Sequence, residues 1–177
     1  MLRILPFILC LIIPVFGAFE NLKSLEGDFI QTIVTSEGEQ VSYKGYLYMK
    51  KPHFVRWNYI EPTPKELFSD GKKALIYEPL LEQVTLLNIN QKMLNFSTLL
   101  SKAKKGEDGK FYANIENTEY VVSVDKKGIP MLIAYQDEFE NKINIIIQNY
   151  KSNHNIPNNT FTFTPPKGVD LDVIKQQ

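Results

Sequence analysis

The chain carries two histidines, His53 and His154, and one cysteine, Cys10, the side chains most often used as bases, zinc ligands and nucleophiles. A working histidine is ordinarily accompanied by His, Cys or carboxylate partners at short spacing. These two lie far apart, each beside turn-forming neighbours, and read as loop residues. The carboxylates gather as Glu37/Glu39, Glu107/Asp108 and Asp137/Glu138/Glu140. Such a pair could hydrolyse a glycoside only if burial raised one carboxyl far enough to keep its proton. Their polar, turn-rich surroundings predict solvated loops instead. No Gly-x-Ser-x-Gly elbow, phosphate-cradling glycine loop or dinucleotide fingerprint occurs. The sequence therefore assigns no catalytic residue, no metal ligand and no cofactor, and disfavours an enzyme.

The charge balance narrows the partners. Lys and Arg number 20 and Asp and Glu 20, whereas a nucleic-acid binder carries a cationic surplus to neutralise phosphates. The cluster Lys102-Ala103-Lys104-Lys105 suits the C-terminal end of a helix, where cations complement the dipole, as well as it suits an anionic partner. Hydrophobic residues make up 44% of the 177, which excludes a disordered chain and allows one domain with a sizeable core.

Residues 1–18 stand apart. Arg3 precedes an apolar run over 4–16, broken only by Pro6 and Pro14, and the small pair Gly17-Ala18 follows. The run is too short to span a bilayer and matches a secretory signal peptide. It contains Cys10, so the expected mature chain, 19–177, is a single thiol-free domain with no disulfide framework, bound for a bacterial periplasm.

The elements that would position any site are strands. Apolar and polar residues alternate over 28–34, 41–50 and 54–59, then over 66–69, 73–78 and 82–88, with Asp70-Gly71 and Pro79 as punctuation. Alternation resumes over 111–115, 118–125, 129–137, 141–151 and 160–164. Between these groups, Phe96, Leu99, Leu100 and Ala103 recur at helical spacing, predicting a short amphipathic helix over 95–105 with Asn95 or Ser97 as its cap and Gly106 as its stop. The expected fold is mainly β, a strongly curved antiparallel sheet of about 10–11 strands in sequential meander, with short α-helices covering its concave face. Large apolar groups on both faces, as at Tyr46/Leu47/Tyr48/Met49 and Ile145/Ile146/Ile147, are compatible with an inner surface kept for a ligand.

An ordered set of blocks then resembles the LolA family of periplasmic lipoprotein carriers. The blocks are Asp28-Phe29-Ile30-Gln31, Gly45-Tyr46-Leu47-Tyr48-Met49-Lys50-Lys51-Pro52, and Phe54-Val55-Arg56-Trp57-Asn58-Tyr59 with Pro62. Ser69-Asp70-Gly71-Lys72, Ile76-Tyr77-Glu78-Pro79-Leu80-Leu81-Glu82-Gln83-Val84-Thr85 and Phe161-Thr162-Phe163-Thr164-Pro165-Pro166-Lys167-Gly168-Val169-Asp170 complete the set.

The resemblance implies an unclosed half β-barrel whose helices cover a hydrophobic cavity for acyl chains. It places Phe29, Leu47, Val55, Trp57, Tyr59, Ile76, Phe96, Leu99 and Leu100 as candidate cavity residues, and Lys51 as the residue that locks the lid. The implied partners are outer-membrane lipoproteins, held by a monomer, with a LolCDE-type inner-membrane transporter upstream and a LolB-type acceptor or the outer membrane itself downstream. Departures accompany the match. Lys51 stands where the family commonly has Arg, and Leu75 where an aromatic is usual. The N-terminal helix before the first strand is two turns at most, and 111–128 is abbreviated. Two other functions fit the same residues: carriage of another amphiphile, and an envelope-stress sensor or adaptor that binds protein partners on a LolA-like sheet.

Overall fold

The computed structural model describes residues 19–88 and 96–176; the expected signal peptide and the Asn95 cap lie outside the described residues. Among the described residues, twelve strands form one sheet: β1 (Ser24–Val34), β2 (Gln40–Lys50), β3 (Phe54–Glu61), β4 (Lys65–Ser69), β5 (Lys73–Glu78), β6 (Gln83–Asn88), β7 (Lys104–Lys105), β8 (Phe111–Ile115), β9 (Thr118–Val124), β10 (Pro130–Gln136), β11 (Lys142–Ser152) and β12 (Asp172–Gln176). Their spatial order is β12-β6-β5-β4-β3-β2-β1-β11-β10-β9-β8-β7. Two meanders, β1 to β6 and β7 to β11, are thus joined side by side where β1 pairs antiparallel with β11. The end strands β12 and β7 do not pair, so the barrel is unclosed. All neighbours are antiparallel except β12, which runs parallel to β6.

Four hairpins share one loop geometry. Their first residues are Thr35, Gly106, Asp125 and Asp137. In each, the first residue donates its amide to the fifth residue's carbonyl and accepts from the fourth residue's amide. The fourth residue has positive φ in every case: Gly38 (89°), Gly109 (83°), Gly128 (77°) and Glu140 (64°). At the last two loops the opening aspartate also accepts amide hydrogens from two and four residues ahead, Lys127 and Ile129, and Phe139 and Asn141. This side-chain mimicry of a backbone turn is why Asp opens them.

Paired residues on neighbouring strands share a face, so the register divides the sheet. Leu25, Phe29, Leu47, Met49, Val55, Trp57, Val122, Ile133, Ile143, Ile145 and Ile147 are buried on the concave side in one core. The helix α1 (Phe96–Lys102) lies against that core through Phe96, Leu99 and Leu100. The opposite, convex face carries Phe54, Phe68 and Tyr77, and the chain after β11 crosses it. Phe161 packs on Phe54 at 5.6 Å between ring centroids, and Phe163 on Tyr77 at 5.0 Å.

Several expectations change. The stretch 160–164 is not a strand: a 3-10 turn (Asn158–Phe161) begins just after Pro157, and the alternating Phe161 and Phe163 serve packing on the convex face instead of a ladder. The helix is shorter than 95–105. Ala103 donates to the Leu99 carbonyl, after which Lys104 and Lys105 pair with Tyr112 and Phe111 as β7. Ser97 lies inside the helix. The expected N-terminal helix is a single turn closed by Leu22 N–H to Phe19 O, because pairing of Ser24 with Lys50 already commits the chain to β1. The sequential meander is interrupted by the β1–β11 junction, and β7 and β12 take the count to twelve.

Candidate functional site

The concave face is built from alternate positions of the long strands. Gly45 makes this possible in β2, since a Cβ there would lie 2.0 Å from the Asn58 carbonyl oxygen and 2.7 Å from the Phe29 ring. Only glycine lets β2 approach β3 while Phe29, its cross-strand partner, lies over it. Phe29 meets Trp57 edge-on at 4.9 Å and Tyr59 edge-on at 5.0 Å; Trp57 in turn meets Phe96 of α1 at 6.5 Å. Edge-to-face contacts of this kind contribute roughly 0.5–1.5 kcal/mol each beyond the area they bury. An aromatic row therefore runs from the helix across three strands.

Of the nine residues assigned to the cavity from sequence, seven are in the packed core: Phe29, Leu47, Val55, Trp57, Phe96, Leu99 and Leu100. Tyr59 is half-buried against it. Ile76 shares the face, opposite Leu67 and Thr85, but is half-buried outside that cluster. Phe96, Leu99 and Leu47 are fully buried, so the concave interior under α1 is filled by the protein's own side chains. Sequence reasoning missed the other wall, Ile133, Ile143 and Tyr135, and the small floor formed by Phe19 and Leu22, although alternation in 141–151 carried the signal for Ile143.

Lys51 fastens that floor. Its Nζ donates to the Phe19 carbonyl at 2.6 Å and approaches the Glu20 carbonyl at 3.4 Å. These carbonyls belong to the N-terminal turn and not to α1. Phe19 then packs on Phe111 at 5.0 Å, which ties the turn to β8. Partial burial lowers the Lys51 pKa, and the nearby Glu20 carboxylate partly restores it.

The opposite end of the face is more open and more polar. Gln31, Tyr43, Tyr59, Lys65 and Tyr135 are all half-buried there. Burial, with smaller effects from Tyr135 and Tyr43, holds the Tyr59 hydroxyl far above the usual phenol range; burial pushes Tyr135 up to about 12. Both stay protonated in any physiological medium, and the Tyr59 hydroxyl donates to Gln31 Oε1. Two further depressions lie elsewhere. One of about 650 Å³ runs along β9–β11 beside Glu119, Asp137, Glu140 and Lys142, and one of about 310 Å³ lies between Arg56, Glu66 and the Phe163 segment. Neither adjoins Phe29, Trp57 or Phe96 of the aromatic row just described.

Residues 20–112 match the family model described as outer membrane lipoprotein carrier protein LolA. The chain belongs to the LolA family. Its relatives include a protein of Helicobacter hepaticus, 35% identical over 163 residues, covering 92% of this chain and 89% of the relative. Another, from Wolinella succinogenes, is 33% identical over 155 residues, covering 88% and 90%. Both are named outer-membrane lipoprotein carrier protein. The LolA fold itself is matched by a crystal structure of a LolA superfamily protein from Nitrosomonas europaea, with a TM-score of 0.55 at 10% identity over 83% of this chain and 94% of that one. The half-barrel, the helix on its concave side and the ordered sequence blocks agree with LolA membership.

Proposed function

We propose that the mature chain, residues 19–177, is a periplasmic carrier that binds the acyl chains of lipoproteins on its concave face and conveys them from the inner to the outer membrane. The observation that carries this reading is the likeness over nearly the whole chain to proteins named for that role. The aromatic row under α1 supplies a surface of the right chemistry. Phe29, Leu47, Val55, Trp57, Tyr59, Ile76, Phe96, Leu99 and Leu100 contact lipid once α1 swings away as a lid.

The energetics explain why a carrier is needed and why it need not grip tightly. A triacyl anchor has about 45 methylenes at ~0.8 kcal/mol each, tens of kcal/mol in water. Free exposure is therefore excluded. Carrier and bilayer are both apolar, however, so most of that quantity cancels between them, and small differences in lid opening and partner contacts set the direction of transfer. With no nucleotide-binding motif in the sequence, energy for extraction comes from a LolCDE-type transporter, and delivery is to a LolB-type acceptor or directly to the outer membrane. The protein acts as a chaperone and catalyses no covalent step.

The test is release. Inner-membrane vesicles carrying labelled lipoproteins are mixed with the mature protein and ATP, and the soluble fraction is assayed. Labelled lipoprotein should appear in complex with the protein. Its absence, with the transporter active toward a known carrier, would overturn the proposal, as would mass spectrometry finding only non-protein amphiphiles bound.

A further inference from the structure

Building on the carrier reading, we propose that Gln31, Tyr43, Tyr59 and Lys65 form a subsite for the carbonyl-bearing neck of the cargo, where the acyl chains meet the glycerol and the polypeptide. The four make one patch. Gln31 pairs with Tyr43 across β1–β2, and Tyr59 pairs with Lys65 across β3–β4. The Tyr43 and Tyr59 rings meet edge-on at 5.8 Å and bring the two pairs together. All four are half-buried on the concave face, and Tyr59 abuts Phe29. The patch therefore continues the aromatic row to its open end.

Its polarity is one-sided. The Tyr59 hydroxyl donates its one proton to Gln31 Oε1 at 2.9 Å, which uses one of that oxygen's two lone pairs and leaves the amide's two N–H donors for a ligand. The Lys65 ammonium lies 4.8 Å from the Tyr59 ring centroid and 5.9 Å from that of Tyr43. Both rings hold the cation by their π faces and leave its three donors unsaturated. A face made only for hydrocarbon has no use for an inward lysine beside a hydrogen-bonded amide and two phenols. The two amide N–H groups of Gln31 and the three of Lys65 make the patch rich in N–H donors, which favours a ligand rich in oxygen acceptors. Ester carbonyls meet that description, and they occur where hydrocarbon ends, as this patch lies where the apolar row ends. A phospholipid phosphate is also an acceptor, so the experiment separates the two.

Binding is measured for a diacylglyceryl-cysteinyl peptide, for its dialkyl ether analogue of equal chain length, and for a dialkyl ether phospholipid. The diester peptide should bind about tenfold more tightly than the diether peptide, equivalent to about 1.4 kcal/mol. Lys65→Met should reduce that preference several-fold while changing diether affinity less than about twofold; Tyr59→Phe, which removes only the hydroxyl, should also reduce the preference, and Lys65→Arg should retain it. Equal affinity of the wild type for diester and diether peptides would overturn the subsite. So would equal losses for both peptides in the variants, or Lys65 dependence confined to the phospholipid. Failure of the wild type to bind either peptide would overturn the carrier reading itself, which is a separate result. Circular dichroism of each variant shows that the sheet is intact.

Discussion

Lys51 ties the end of β2 to the N-terminal turn through two unequal contacts. A planar guanidinium could hold two carbonyls with a fixed fork, whereas the ammonium of Lys51 makes one short bond to Phe19 O and one long approach to Glu20 O. Lys51→Met, which keeps the stem and removes the donors, should cost about 1 kcal/mol and speed hydrogen exchange at the Leu22 amide, which bonds Phe19 O. Lys51→Arg should protect that amide as well as the wild type does or better. Unchanged exchange in Lys51→Met would mean that Phe19 packing alone holds the turn. A second residue-scale prediction concerns Asp125. The Tyr150 hydroxyl, aided by the Ile129 and Lys127 amides and opposed by desolvation, lowers its pKa below the ordinary 3.8. Because the folded value is the depressed one, the stabilisation is complete above the unfolded value and disappears as pH falls through the folded one. Tyr150→Phe should raise the Asp125 titration midpoint seen by carboxyl NMR. Its stability deficit relative to wild type should close in acid below that range.

At the scale of elements, the four matching hairpin loops make a comparison within one molecule. Three place glycine at the left-handed position and the fourth places Glu140 there. The left-handed conformation costs an L-residue roughly 1–2 kcal/mol, while glycine costs roughly 0.5–1 kcal/mol in lost chain freedom. Glu140→Gly should therefore stabilise by up to about 1 kcal/mol, measured by urea denaturation, whereas Gly128→Glu should destabilise. A loss of stability in Glu140→Gly would show that the glutamate makes a compensating contact. These loops, with the Asp-Gly and Lys-Lys-Gly signals and period-two alternation, are why most strands were legible from sequence. What alternation cannot show is which of two apolar faces is concave. Tyr46 and Tyr48 look as core-like as Leu47 and Met49, yet they lie on the convex side. Nor can it show that Phe161 and Phe163 pack across a sheet instead of joining it. Strand β12 was invisible because its parallel partner β6 is remote in sequence and its own Val173 and Ile174 remain exposed. The buried site residues were readable because they are apolar and periodic. Gln31, Tyr43 and Lys65 were not, because polar residues at inward positions look like solvent-facing ones until the register is known.

For the whole molecule, the fact that matters is that the concave interior is occupied. A helix of seven residues is too short to persist alone, so α1 is held there by burying Phe96, Leu99 and Leu100. Under the proposed carrier function, acyl chains and those three side chains would compete for one surface, and the closed state would be the competitor that ligand must displace. Two kinds of destabilisation can then be told apart. Phe96→Ala removes a fully buried ring and should lower closed-state stability by about 3–5 kcal/mol if α1 stays docked, or by the docking free energy of α1 if the helix detaches first. Ile147→Ala opens a cavity in the sheet itself, where Ile147 is equally buried opposite Phe29, and should cost about 2–5 kcal/mol. Only the first favours the open form. Both variants should melt earlier than wild type. Phe96→Ala should bind a diacyl probe at least tenfold more tightly, because each 1.4 kcal/mol removed from the closed state is a factor of ten in apparent affinity and the lost contact of Phe96 with the chain offsets only part of the gain. Its Trp57 emission should be red-shifted without ligand and return to the blue when the probe replaces the missing ring. Ile147→Ala should show no gain. If affinity fell with stability in both, Phe96 would be an ordinary core residue, and the lid would have to lie outside α1.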